Sequence, residues 1–151
     1  MKHKVLRTNS ENCDFNWLIK HLDKELTISD GDDHAFYDQF NKLDKIKHVV
    51  ISSIAEKPVG CGALKKFDED TVEIKRMFTL NEFRGIGSAS TILNELETWA
   101  SELNFKKCIL ETGINQPEAI SLYKKCGYIL TDNYGQYKGV ETSLCFFKIL
   151  D

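Results

Sequence analysis

The chain has 151 residues, enough for one domain and too few for two full cores. Hydrophobic residues make up 42% and charged residues 28%, globular proportions that exclude general disorder. With 20 basic against 23 acidic residues the net charge is -3, which disfavours capture of nucleic acid or an anionic membrane by charge alone.

No apolar run approaches the ~20 residues a transmembrane helix needs. The basic start, Met1 to Val5, has no apolar stretch after it, so no secretory signal is expected and the cytoplasm is the expected location. Cys13, Cys61, Cys108, Cys126 and Cys145 are odd in number and contain no CxxC, which disfavours disulfides and zinc clusters. Reduced cysteines, mostly in the core, are expected. The histidines at 3, 21, 34 and 48 show no ligand spacing, and no metal is expected.

In chain order, Lys4 to Thr8 reads as a short strand. Asp14 or Asn16 is placed to cap a helix through about Leu26, with Trp17, Leu18, His21, Leu22 and Leu26 at helical spacing. Ser29 to Asp33 reads as a turn and His34 to Leu43 as a second helix. Lys47 to Ala55 and Pro58 to Leu64 form a hairpin through Glu56-Lys57. Thr71 to Leu80 alternates Val72, Ile74, Arg76 and Phe78 against Glu73, Lys75, Met77 and Thr79, a strand with one apolar and one mixed face. From Ile86, apolar residues at 89, 92, 93, 96, 99, 100 and 103 make one amphipathic stripe, which Asn104 stops. Lys107 to Thr112 is a compact strand. Pro117 opens a helix through Cys126 that Gly127 closes. Tyr128 to Thr131 and Glu141 to Leu150 are the last strands. This order describes an α+β domain around one mixed sheet.

Between a strand and the long helix lies Arg84-Gly85-Ile86-Gly87-Ser88-Ala89. Glycines let such a loop turn tightly and aim several N–H groups one way, and a helix N-terminus adds partial positive charge, an arrangement suited to a pyrophosphate. The alternative is a turn that merely starts a helix. The chain contains no G-x-x-x-x-G-K-[ST] string. The dinucleotide fingerprint fits only in part, because Ser90 takes the third glycine position and the acidic partner would fall at Glu102, inside the helix.

Here the sequence resembles the GNAT superfamily of N-acetyltransferases, whose loop reads Q/R-x-x-G-x-G/A. Arg84, Gly87 and Ala89 match it in register. Ala119-Ile120-Ser121-Leu122-Tyr123, running on to Gly127-Tyr128, resembles the family's A-x-x-L-Y-x-x-x-G-F/Y, and Glu73 to Phe78 resembles its strand before the loop. The resemblance spans Val59 to Tyr128. It implies a single domain over residues 1–151, with a mixed sheet of about seven strands, about four flanking helices, and a splay at the fourth and fifth strands. It implies acetyl-CoA as acyl donor, an amine as acceptor, and no metal.

Carried over by residue, Arg84, Gly85, Ile86, Gly87, Ser88 and Ala89 would hold the pyrophosphate. Main-chain groups of Met77, Phe78 and Thr79 would pair with the pantetheine arm, and Tyr123 would protonate the leaving thiolate. Where the family often has Asn, Gln116 stands here and still offers an amide. Packing in the core is the other role open to Tyr123.

An ammonium must lose a proton before it attacks a thioester, and a carboxylate is the obvious base. Glu73 leads, on the face opposite Val72 and Ile74, and Glu111 is second. An ion pair with a nearby lysine is the alternative for either. On the acceptor side, His34, Phe36, Tyr37, Tyr134 and Tyr137 are candidate contacts, and acidic Asp30-Gly31-Asp32-Asp33 could attract a cation or be a solvated turn. The expectation is an N-acetyltransferase for a small amine or amino-acid-like acceptor, with a homodimer as an option. Its rivals are a transferase for protein N-termini or lysines and a domain that senses acetyl-CoA without turnover.

Overall fold

The computed structural model describes residues 2–30 and 46–151. Seven strands form one sheet: β1 (Lys4–Thr8), β2 (His48–Ile54), β3 (Lys57–Lys66), β4 (Thr71–Thr79), β5 (Lys107–Gly113), β6 (Ile129–Thr131) and β7 (Ser143–Ile149). Their spatial order is β1-β2-β3-β4-β5-β7-β6. All neighbours are antiparallel except β4 and β5. The α-helices among the described residues are α1 (Cys13–Asp30), α2 (Ser88–Glu102) and α3 (Pro117–Lys125). The helix expected over His34 to Leu43 lies outside the described residues.

Two apolar clusters sandwich the sheet. On one face Ile92, Leu93, Leu96 and Ala100 of α2 pack with Val50, Leu64, Val72 and Ile74. On the other, Phe15, Leu18, Ile19 and Leu22 of α1 pack with Val49, Ile51, Cys61 and Phe78. Cys61, Cys108 and Cys145 are buried and all five thiols are free. No helix among the described residues is long and apolar enough to cross a membrane.

Several local expectations need correction. Neither Asp14 nor Asn16 caps α1: Asn12 Oδ1 accepts from the Asp14 and Phe15 N–H groups at 2.9 and 3.0 Å, satisfying donors of the first turn. The helix also runs past Leu26 to Asp30, so Ser29 and Asp30 are not turn residues. The β2–β3 turn is Ala55-Glu56, both at positive φ, and Lys57 already pairs with Ile54. Ile86 does not open α2, because Gly85 at φ 80° and Gly87 at φ 91° break the helical path before Ser88. Asn104, Pro117 and Gly127 punctuate the helices where expected, with Asn104 and Gly127 at positive φ.

The regular alternation of β4 is also overturned. Arg76 has φ 57°, and the β3–β4 register slips so that Gly62 alone lies opposite Arg76 and Met77. This is a β-bulge, one extra residue on one strand. Beyond it the faces exchange: Met77 joins Ile74 against α2, and Phe78 joins the cluster under α1. Gly62 makes room for this. A Cβ there would stand 2.6 Å from Met77 Sδ and 2.8 Å from Leu96 Cδ1. Gly62→Ala should therefore destabilise the fold by about 1–3 kcal/mol, read as a lower midpoint in urea unfolding; an unchanged midpoint would show that α2 yields without cost.

Candidate active site

Strands β4 and β5 pair only at Thr71–Lys107, Val72–Cys108 and Glu73–Ile109, and then part. β4 continues to Thr79 and β5 to Gly113. A cavity of about 150 Å³ opens in the gap. Its walls come from both faces of the sheet: Leu22 and Leu26 of α1 on one side, Ala119 and Tyr123 of α3 on the other, with Glu73 to Met77 and Glu111 to Gly113 as its edges. Only a parted sheet can expose both faces to one space.

The carboxylates expected to matter meet here. Glu73 is buried; its Oε2 accepts a 2.6 Å hydrogen bond from the Tyr134 hydroxyl, and its Oε1 lies 3.9 Å from Lys75 Nζ. Glu111 lines the same cavity and accepts from Ser143 Oγ at 2.7 Å. Both strands therefore turn a carboxylate inward, which settles the facing of Glu111. Burial lowers the Lys75 pKa, while the charge of Glu73 opposes that fall.

Tyr123 is buried on α3, its ring centroid 5.9 Å from that of Tyr128 and 6.3 Å from that of Phe146. Burial first, then the negative charge of Glu111, raises the phenol pKa, so the hydroxyl keeps its proton through the neutral range. Gln116 also lines the cavity, at the residue before α3. Of the acceptor contacts, Tyr137 lines the cavity and Tyr134 reaches it through Glu73. Gly31, Asp32, Asp33, His34, Phe36 and Tyr37 lie outside the described residues.

The glycine loop stands at the start of α2. A Cβ at Gly85 or Gly87 would meet no atom within 4 Å, so positive φ and not lack of space favours glycine there. The first N–H groups of α2 have no partner within the helix, which leaves them for an anion. Ile86 is exposed, Ala89 is half-buried, and the buried Ser88 hydroxyl lies 2.7 Å from His3 Nε2. Arg84 is engaged elsewhere. Its Nε donates to Thr79 O at 2.9 Å, and its Nη2 lies 2.8 Å from both oxygens of Glu25 on α1. Phe78 lies beneath this guanidinium, 5.8 Å from ring centroid to Cζ. Met77 lines the cavity, and Phe78 and Thr79 pair with Cys61 and Gly60 of β3, leaving the other edge of β4 toward the gap.

Sequence reasoning missed Lys75 and Arg76 as cavity residues, and the bond between Tyr134 and Glu73. Lys75 was legible in principle, because it shares the alternation of Glu73. Arg76 was not, since β4 carries no glycine of its own at the bulge and Gly62 lies on the partner strand.

The match to the acetyltransferase (GNAT) family model covers residues 14–128. The chain belongs to that family. It is 35% identical over 93 residues to the IAA acetyltransferase of Azospirillum brasilense, covering 61% of each protein. The matches cover 35% to 64% of the length of the curated relatives. Among solved structures, a candidate acyl-CoA N-acyltransferase of Klebsiella pneumoniae aligns over 99% of this chain and 98% of its own, with TM-score 0.83 and 24% identity. A GNAT family acetyltransferase of Elizabethkingia anophelis, solved with acetyl-CoA bound, aligns over 98% of both chains with TM-score 0.70 and 18% identity. These likenesses establish the fold. Among the described residues no cluster of His, Cys, Asp or Glu is arranged to hold a metal ion.

The contact between Tyr134 and Glu73 is measurable by itself. A hydrogen bond to a buried charged group contributes about 1.5–3 kcal/mol. Tyr134→Phe and Glu73→Gln, alone and together in a double-mutant cycle of urea unfolding, should show coupling of that order. Additive effects would mean the two side chains are energetically independent.

Proposed function

We propose that this chain, taken as one domain over residues 1–151, is an N-acetyltransferase that moves the acetyl group of acetyl-CoA to the amine of a small acceptor. The observation that carries this reading is the cavity in the parted sheet, which brings Glu73, Glu111 and the protonated Tyr123 to one space. A donor arm entering from the α2 side and an amine from the α1 side would meet there.

The acyl donor supplies an activated thioester; the protein supplies position and proton transfer. Gly85, Ile86, Gly87, Ser88 and Ala89 offer backbone N–H groups and the α2 dipole to the pyrophosphate. Arg84, held by Glu25, stiffens the loop that receives the pyrophosphate. Met77, Phe78 and Thr79 present the open edge of β4 to the pantetheine amides, and Gln116 offers its amide from the facing side. Glu73 takes the proton that the acceptor ammonium must lose, and Tyr134 holds that carboxylate in place. The freed amine attacks the thioester carbonyl carbon and forms the carbon–nitrogen bond; Tyr123 gives its proton to the sulfur as the carbon–sulfur bond breaks, and the second proton that the nitrogen sheds restores the phenol. The small cavity favours a compact acceptor over a protein side chain.

Gly87→Glu should abolish acetyl-CoA binding in calorimetry while the circular dichroism of the fold is kept. The substitution forces a left-handed residue and a negative charge into the anion site. Undiminished affinity would remove the loop from the donor site.

Glu73→Gln keeps the shape and removes the base. Thiol release at neutral pH should fall by ~10²–10⁴-fold. Raising the pH should restore part of the rate, because the acceptor then deprotonates in solution. If only KM rises and the pH profile is unchanged, Glu73 attracts the cation without taking its proton.

A further inference from the structure

Arg76 stands at the bulge of β4 and lines the cavity beside Glu73 and Lys75. It is 7% exposed. Its Nη2 holds Asp23 Oδ1 of α1 at 2.8 Å, but Nε and Nη1 are buried with no hydrogen-bond partner among the described residues. Buried donors of a charged group are costly to leave unmade. A buried lysine can shed its charge by giving up a proton; a guanidinium cannot.

The backbone makes the residue choice more costly still. Arg76 has φ 57°, a conformation that glycine or asparagine takes with less strain. A residue that served only to tie the bulge to α1 would not need unsatisfied donors inside the protein. Strain and orphaned donors in one side chain, on the wall of a cavity, point to a ligand that completes it.

We propose that Arg76 receives a carboxylate of the acceptor, so that the acceptor is a zwitterion with an acid group near its reacting amine. This rests on the acetyl-transfer reading above. The cavity wall carries charges of both signs in adjacent places. Glu73 and Glu111 face the cationic end, and Arg76 the anionic end, with Lys75 between them in sequence. Asp23 keeps one nitrogen of the guanidinium, and the acceptor takes the others in a charge-assisted hydrogen bond.

The test is thiol release from acetyl-CoA with matched pairs: amino acids with the amine one to three carbons from the carboxylate, each beside its carboxamide. The two members have the same shape and differ in charge. Wild-type protein should prefer the acids by about tenfold or more in kcat/KM, as expected for a buried charged hydrogen bond. Arg76→Gln should lose that preference, its kcat/KM falling about tenfold or more further for the acids than for the carboxamides. Arg76→Lys should keep part of the preference. Equal or better turnover of the carboxamides by wild type overturns the proposal and leaves the transfer reading intact. A variant that loses both members of a pair equally also overturns it. Absence of thiol release from every pair overturns the transfer reading and the proposal together. The wild-type comparison decides even if Arg76→Gln does not fold.

Discussion

Three residue pairs hold β4 to β5, and the site depends on the fact that a fourth does not form. Parallel neighbours normally stay paired along their length because each loses backbone hydrogen bonds by leaving. Here β4 keeps its bonds to β3 and gives up those to β5, while β5 keeps its bonds to β7 along its whole length, from Lys107–Ile149 to Gly113–Ser143. Each strand is thus anchored on its outer side. The inner edges are left with polar backbone facing a cavity, where an extended polar chain can pair with them. The unusual feature of the sheet and its binding capacity are one fact.

The bulge at Arg76 adds a second effect. Without it, Phe78 would follow Ile74 onto the α2 face, and Met77 would follow Glu73 and Lys75. With it, Met77 fills space against α2, Phe78 seals the cluster under α1, and the polar residues Glu73, Lys75 and Arg76 stay at the parting of the strands. The left-handed residue costs ~1–2 kcal/mol. Met77 packs over Gly62 and Arg76 pairs with Asp23, but neither contact meets Nε and Nη1 of Arg76.

The extent to which this was legible follows from how local each cause is. The first strand, the stripe of α2, Asn104, Pro117 and Gly127 are set by periodicity and by residues that act within one turn, and they stand where the sequence places them. The motif residues Glu73, Tyr123 and Gln116 were legible through the family resemblance, and the structure brings them to one cavity. Faces beyond Ile74 were not legible, because an arginine at a bulge looks like any strand residue until its partner strand is known. The cap of α1 was missed for a related reason: the sequence reading offered Asp14 and Asn16, and only the path of the chain from β1 selects Asn12 before them. Partners such as Tyr134 for Glu73 lie 61 positions apart, and no short-range rule connects them.

Arg84 shows how the fold can redirect a motif residue. The family pattern puts a cation at the start of the anion loop, and the expectation was a direct contact with phosphate. Glu25 instead occupies one side of the guanidinium, Thr79 O another, and Glu118 Oε2 lies 4.0 Å from Nη1. Two carboxylates beside one guanidinium leave little net charge for an incoming pyrophosphate. On the proposed reading the backbone N–H groups and the α2 dipole supply most of the attraction. Arg84 then acts on the loop through geometry: it ties β4 at Thr79 and α1 at Glu25 to the turn that the two glycines make. The same residue type thereby serves two ends of the site in opposite ways. Arg84 has Nε and Nη2 met by the protein and ties the loop, whereas Nε and Nη1 of Arg76 meet no partner among the described residues.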